Sequence, residues 1–501
     1  MGGALNQDKS LYFRFTSAFK YDEGFTNNTT DTKRIFIAPS VAYELNENHT
    51  LTFVLEHTNE TTPSSFGTYI NSQGKFVAPI KNTISHPDEK FKKRQTITGF
   101  DVDSHLASWT SLMKYRYIDY VGDNGDVHMP QRYNEVTNRV SRAYAYQKQE
   151  FQEHALQYTL NKEMELFGFK NSLSVGADYN RAYSKLDMFY DPFNPYLINL
   201  SHPNYESLTG RGDHPLSMNM SRGRTQTTTW GAFLQDSLYL TDALIISAGV
   251  RFSETKPQNG QKSDATTPSF GIVYKMTPQT SFYASYSESF TPNSATDVHG
   301  KVLDPETGKG IEAGMKQKLF DERVTATVAL FKIDKENIAM ADPNFPLSSV
   351  ASGKQESRGF EVDMGGDITP DWSMIASYGY TQTKNKDKNN NDLRNAPKHT
   401  AAVFTTYKLT ALGLPSLYIG GGARYIGERY ADDANAIKLD SAVVYNATVG
   451  YKKKNWRAAI SVQNLTNEKY VEGAFASSPI TGTRVYAGKP RTVLATLGYV
   501  F

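Results

Sequence analysis

The chain closes on "GKPRTVLATLGYVF", Gly488 to Phe501. Within it Val493, Ala495, Leu497, Tyr499 and Phe501 alternate with Thr492, Leu494, Thr496, Gly498 and Val500. That is the period of a strand whose two faces meet different surroundings. Most chains end in a few solvated residues, whereas this one stops on an aromatic side chain in mid-pattern. The terminus is therefore expected to be fixed in a sheet.

The same alternation recurs upstream. Leu11, Phe13, Phe15 and Phe19 oppose Tyr12, Arg14, Thr16 and Lys20, while Ile35, Ile37, Val41, Tyr43 and Leu45 share one face. Trp372, Met374, Ala376 and Tyr378 oppose Ser373, Ser377 and Gly379; Trp456, Ala458, Ile460 and Val462 oppose Arg457, Ser461 and Gln463. Apolar on one side and polar on the other suits a wall with lipid outside and water inside. A soluble β-sandwich alternates too, so alternation leaves both open.

Connection lengths separate them. Short polar turns are read at 46–48, 101–104, 241–242, 277–279, 321–322, 369–371 and 452–455. Long Gly/Asn/Asp-rich stretches are read at 61–90, 122–133 and beyond, 185–224, 292–310, 335–354, 384–397 and 467–489. An up-and-down transmembrane barrel alternates short periplasmic turns with long extracellular loops; Greek-key crossings give no reason for it. The expected fold is an all-β, antiparallel barrel of about twenty strands, an even number as in bacterial single-chain barrels. Tyr43, Tyr115, Tyr117, Tyr425, Tyr451, Trp456, Tyr499 and Phe501 are candidates for its aromatic girdles.

Composition agrees. A soluble chain of 501 residues would divide into about three domains, yet no linker tract interrupts this one. No run of about eighteen apolar residues offers a transmembrane helix, and the low mean hydropathy is compatible with a barrel. Cysteine is absent, which rules out disulfides and thiolate metal sites. With 54 basic and 52 acidic residues there is no case for a nucleic-acid partner. No signal peptide is read in the first twenty or so residues, so for an exported protein a mature, partial or engineered form is expected.

Several blocks in order resemble the TonB-dependent siderophore receptors of the ferrichrome and ferrioxamine type. They include "FYASYSESFTPNSATDVHGKVLDPETGKGIEAGMK" (282–316), "SRGFEVD" (357–363), "IASYGYTQT" (375–383), "NAPKHTAAVFTTY" (395–407), "ARYIGERYADDAN" (423–435), "VQNLTNEKY" (462–470) and the closing stretch. Within the second block Glu361 and Asp363 should face the lumen, with Phe360 and Val362 toward lipid. The resemblance implies a 22-strand family barrel, of which residues 1–501 would supply all but a plug domain, a TonB-gripped segment and the first hairpin. A chain so truncated is expected not to couple to TonB–ExbB–ExbD and to leave a wide aqueous channel. Closing a twenty-strand cylinder would require Leu11–Tyr21 to pair with the strand ending at Phe501. A passive porin-like channel is the alternative reading.

The resemblance also implies a ferric siderophore held by aromatic and polar side chains of the extracellular loops, with no directly bound cofactor or metal. Phe189, Tyr190, Phe193 and Tyr196 are the first candidates for ligand contact; Tyr120, Tyr133, Phe290 and Tyr430 follow from their places at strand–loop junctions. Flat aromatic faces suit a partly conjugated chelator. Tyr499 and Phe501 resemble the signal read by the barrel assembly machinery. Outer-membrane lipid and lipopolysaccharide are the expected surroundings, the Gram-negative outer membrane the location, and a monomer the expected state. His202 and His214 with Asp187, Asp191 and Asp213 are read as solvated loop polars rather than a metal site. The tripeptide Arg211–Asp213 and the sequon Asn28–Thr30 are discounted as chance matches. No Ser, His and Asp constellation with a motif suggests an enzyme.

Overall fold

The alternating segments join edge to edge into one antiparallel sheet of 22 strands. The computed structural model describes residues 1–501 except 28–30, 167, 206–212, 259, 294, 342–347, 479–481 and 500–501. Gly2–Ala4 and Met218–Asn219 are short edge pieces, and the other members run in chain order from Leu11–Asp22 to Thr492–Tyr499. The 3-10 turn that falls wholly among the described residues is Thr410–Leu412.

Register separates the two faces. Val362 lies opposite Val328 and Tyr378, and Asp363 opposite Thr327 and Ser377. Lipid-side residues therefore line up across strands, and Leu330 and Leu497 are 61% and 72% exposed. Burial runs opposite to that of a soluble protein: the buried apolar clusters lie above the membrane-crossing wall, in the loops and the upper ends of the long strands. One holds Tyr69, Ile84, Tyr133, Val140, Ile198 and Leu200. The other holds Ile70, Ala431, Leu439, Ala474 and Val485.

Two parts of the sequence reading are corrected. Residues 101–104 form no turn: Lys90–Leu106 continues as strand and the chain reverses after Ala107, whose φ is 57°. Asp101 misled because it is a wall residue, bonded by the Arg116 guanidinium at 2.7 and 3.0 Å. The stretches 122–133 and 185–199 are likewise strand. Trp109–Asn134, Arg139–Leu166 and Phe169–Asn199 run 26, 28 and 31 residues, whereas crossing the hydrocarbon takes about 9–11. Their polar upper halves stay paired to one another up to Asn134↔Arg139 and Arg139↔Asn199. The hairpins satisfy their own backbone groups outside the membrane and stand as a tower on the extracellular side.

The strand Thr492–Tyr499 pairs with Trp456–Gln463 from Gln463↔Thr492 to Trp456↔Tyr499; Phe501 lies outside the described residues. Pairing of this strand with Leu11–Tyr21 is not found among the described residues. Gly2–Ala4 occupies part of that edge instead, folded back as a hairpin in which Asn6 Oδ1 accepts from the Leu11 N–H at 2.9 Å. The two ends of the sheet meet at the rim. Lys489 Nζ is 3.8 Å from Asp22 Oδ2, and Thr68–Ile70 of an early loop pairs with Gly482–Ala487 of the last.

Candidate ligand site at the extracellular rim

Beneath this rim clasp lies a cavity of about 930 Å³. Lys20, Asp22, Arg424, Tyr470, Glu472 and Lys489 are among its lining residues. The Arg424 guanidinium donates to Glu472 at 3.0 Å and to the Tyr470 hydroxyl at 3.2 Å.

The tower is organised by buried polar groups. Glu89 Oε1 accepts from the backbone N–H of His86 at 3.1 Å and of His128 at 3.0 Å, and contacts His128 Nδ1 at 2.6 Å. Burial pushes the His128 imidazolium pKa below its ordinary value, outweighing the upward pull of the Glu89 hydrogen bond. Arg142, fully buried, donates to the Ile84 carbonyl at 3.0 Å. Tyr196 ties this centre to a second: its ring meets His128 edge-on at 4.5 Å, and its hydroxyl lies 3.0 Å from His214 Nε2. His214 stacks on Tyr144 at 4.1 Å and contacts Asp191 at 2.9 Å through Nδ1.

Burial works against the Asp191 carboxylate. Hydrogen bonds from Asn194, His214 and the Phe193 N–H prevail and hold its pKa below the ordinary value. Asp191 and His214 are thus buried, which corrects their reading as solvated loop polars. The signal for this was thin: Glu89, Arg142 and His128 are isolated in sequence, and topology alone brings them together. Among the described residues no group of three or more carboxylate or histidine side chains is placed to hold a metal.

The structure distributes the candidate residues unevenly. Phe189, Tyr190, Phe193 and Tyr196 all sit on the upper part of Phe169–Asn199. Phe189 lies against Tyr146 with ring centroids 6.3 Å apart, and the Tyr190 hydroxyl accepts from Gln131 at 3.2 Å. Phe193 is 63% exposed while its N–H donates to Asp191 Oδ1 at 3.0 Å. Tyr133 stacks on Tyr69 at 4.8 Å inside the loop cluster, 8% exposed, and burial pushes both phenols up to about 12. Tyr120 lies on the wall opposite Gln95 and Phe151. Phe290, opposite Thr307, shares its parity with Phe282, which lies on the lipid side. Tyr430 pairs with Lys438 in a loop hairpin beside the second cluster. Residues 211–212 and 28–30 lie outside the described residues.

A closed-loop rim over a polar-lined wall with an apolar outer face defines an outer-membrane β-barrel of receptor type. The TonB dependent receptor-like, beta-barrel family model matches residues 5–465, and the chain belongs to that family. It is a Gram-negative outer-membrane protein. It is 26% identical over 527 residues to the metal-pseudopaline receptor CntO of Pseudomonas aeruginosa, covering 99% of this chain and 72% of the relative. It is 23% identical over 542 residues to the ferrichrome outer membrane transporter/phage receptor of Escherichia coli, covering 99% and 71%. Among solved structures, the siderophore receptor PiuA of Acinetobacter baumannii shares the fold with a TM-score of 0.87 at 20% identity, over 99% of this chain and 78% of that one. These relatives carry receptor and transporter names, not enzyme names.

Proposed function

We propose that the chain binds ferric siderophores at its extracellular face for TonB-dependent uptake. One observation carries the reading. The side chain of Phe193 projects 63% exposed from a segment that buried Asp191 pins through Phe193 N–H and Asn194 Nδ2, each at 3.0 Å. An aromatic face held out by a rigid support loses little entropy when a flat chelator lands on it. Iron arrives wrapped in its chelator and needs no protein cofactor. Partners in this reading are TonB–ExbB–ExbD for the full-length receptor and the assembly machinery, which would read the final strand; the protein acts as a monomer. The ferrichrome/ferrioxamine type is one candidate class, and the relative named a metal-pseudopaline receptor makes a metal-pseudopaline chelate another. A passive porin gains no support from receptor-named relatives.

The test is binding by intrinsic fluorescence quenching against a panel of ferric hydroxamate, catecholate and aminocarboxylate chelates. At least one should bind at micromolar concentration or tighter, and Phe193→Ala should weaken it about tenfold, the scale of losing one stacked aromatic contact. No binding across the panel, or unchanged affinity in Phe193→Ala and Tyr190→Ala together, overturns the proposal.

A further inference from the structure

Register gives the tower an inner face unlike its outer one. Tyr179, opposite Leu156 and Trp230, is exposed toward lipid. Side chains alternate along a strand, so Asn180, Ala182 and Ser184 line the lumen. The pairing with Arg139–Leu166 runs without a shift up to Asp191, and it carries that side through Leu186, Met188 and Tyr190. Met218 pairs with Tyr190, and the Met220 N–H donates to the Met188 carbonyl at 2.9 Å. Opposite residues of an antiparallel pair share a face. Both methionines therefore join Met188 and Tyr190 on the inner side, where they are 42% and 48% exposed.

About 20 Å lower along the strand, Phe151 lies opposite Ser184 and Tyr120. A Cβ placed on Gly122 would meet the Tyr120 hydroxyl at 2.6 Å and Phe91 Cζ at 3.2 Å. Those two rings thus cover the glycine and extend the strip. Uncharged Gln147 and Gln149 stand between the two tiers, while Arg222 and Lys93 border them opposite Leu186 and Gly122. The outer face of the same strands is charged: Lys148 pairs with Glu150 at 2.8 Å and Lys185 with Asp187 at 2.9 Å.

The strip is continuous with the support of Phe193. Asp191 accepts from the Phe193 N–H at 3.0 Å and contacts His214 Nδ1 at 2.9 Å. His214 opens the turn that leads to Met218, its carbonyl accepting from the Ser217 N–H at 3.0 Å. The aromatic contact and the methionines thus hang from one carboxylate. Lipid does not reach the lumen side of a wall, so these exposed thioethers face water until a solute covers them. A rigid ring suits a flat partner, whereas unbranched, polarisable methionine adapts to a flexible one.

We propose that this strip receives an aliphatic tail, which makes the substrates amphiphilic ferric chelates that carry an acyl chain. The inference rests on the chelate-receptor reading above. With the iron-bearing head at Phe193 and Tyr190, the tail runs down Met218, Met188 and Met220 toward Phe151.

The experiment uses the full chain in detergent micelles and fluorescence quenching by each ferric head group of the panel, bare and with an eight-carbon acyl amide. For a head that binds, the tailed form should bind about tenfold tighter, the gain from burying about two methylenes. Met218→Gln/Met220→Gln should erase that gain, while Lys148→Gln on the outer face should keep it. Partition of the tail into micelles is common to all three proteins and cancels between them. A diazirine at the tail end should crosslink to peptides that hold Met188 or Met218–Met220. Equal affinity of bare and tailed forms, a full gain in the double variant, or crosslinks confined to the lipid-facing wall would each overturn the proposal and leave the receptor reading standing. No binding by any chelate, bare or tailed, would overturn both. The crosslinking needs no variant, so a folding defect cannot rescue the idea.

Discussion

His128 Nδ1 and Glu89 Oε1 stand 2.6 Å apart with both side chains buried, in the part of the tower that lies outside the membrane. Because burial lowers the His128 pKa, the ring is neutral at neutral pH and donates Nδ1–H to the carboxylate. In an opened tower the ring returns to about 6.5. The sign follows from proton uptake: below that value the opened form binds the extra proton, so stability is full above about pH 6.5 and falls as pH drops. Hydrogen exchange at pH 7.5 and 5.5 should show protection around residues 126–145 decreasing on acidification. Protection that is constant or rises at pH 5.5 would contradict it.

Removing Glu89 tests the same centre without titration. Its Oε1 is shared by two backbone N–H groups and the imidazole, so Glu89→Ala leaves three buried donors without their acceptor. Each buried donor left unsatisfied costs about 1–3 kcal/mol. The loss should appear as faster exchange in the tower, with the barrel's heat-modifiable gel shift intact because wall pairing does not pass through Glu89.

A third prediction concerns the wall. Gly99 sits where a Cβ would overlap the Tyr115 carbonyl oxygen and lie 3.1 Å from the Arg116 Cα. The obstacle is backbone of the paired strand, so no rotamer relieves it. Gly99→Ala should cost at least the 1–3 kcal/mol or so of core overpacking, read as a lower midpoint in urea unfolding from lipid vesicles. An unchanged midpoint would mean that the ladder at this point yields easily.

What was legible in the sequence was whatever repeats every second residue. Phe360/Val362 against Glu361/Asp363 gave the faces of the wall, and the turn before His49 gave a rim. Polarity misled where it was asked to mark loops: 122–133 and 185–199 are polar because they leave the lipid, not because they leave the ladder. Asp101 misled for the same reason in reverse, as a lumenal ion-pair residue that reads like a turn. The candidate site was half legible. Phe189 to Tyr196 do gather on one strand, but Tyr133 is spent on packing against Tyr69. Phe290 carries the parity of Phe282, a clue that alternation already contained. Glu89 with His128, 39 positions apart, and Arg142 with Ile84, 58 apart, left no local signal, since they meet only through the tertiary fold.

The last prediction concerns the seam. Strand pairing does not join Leu11–Asp22 to Thr492–Tyr499 among the described residues, yet the loops above do, through Thr68–Ile70 on Gly482–Ala487. The second apolar cluster locks that clasp, with Val485 fully buried against Ile70, Ala431, Leu439 and Ala474. Val485→Asp would place an unpaired carboxylate in this cluster, at a cost of several kcal/mol. The clasp should then open while the wall, held by its own ladder, remains. In planar bilayers Val485→Asp should show larger or more frequent openings than the unaltered protein. Identical conductance in the two proteins would mean that the clasp does not limit the pore, and silence in both would mean that the lumen is not open to water.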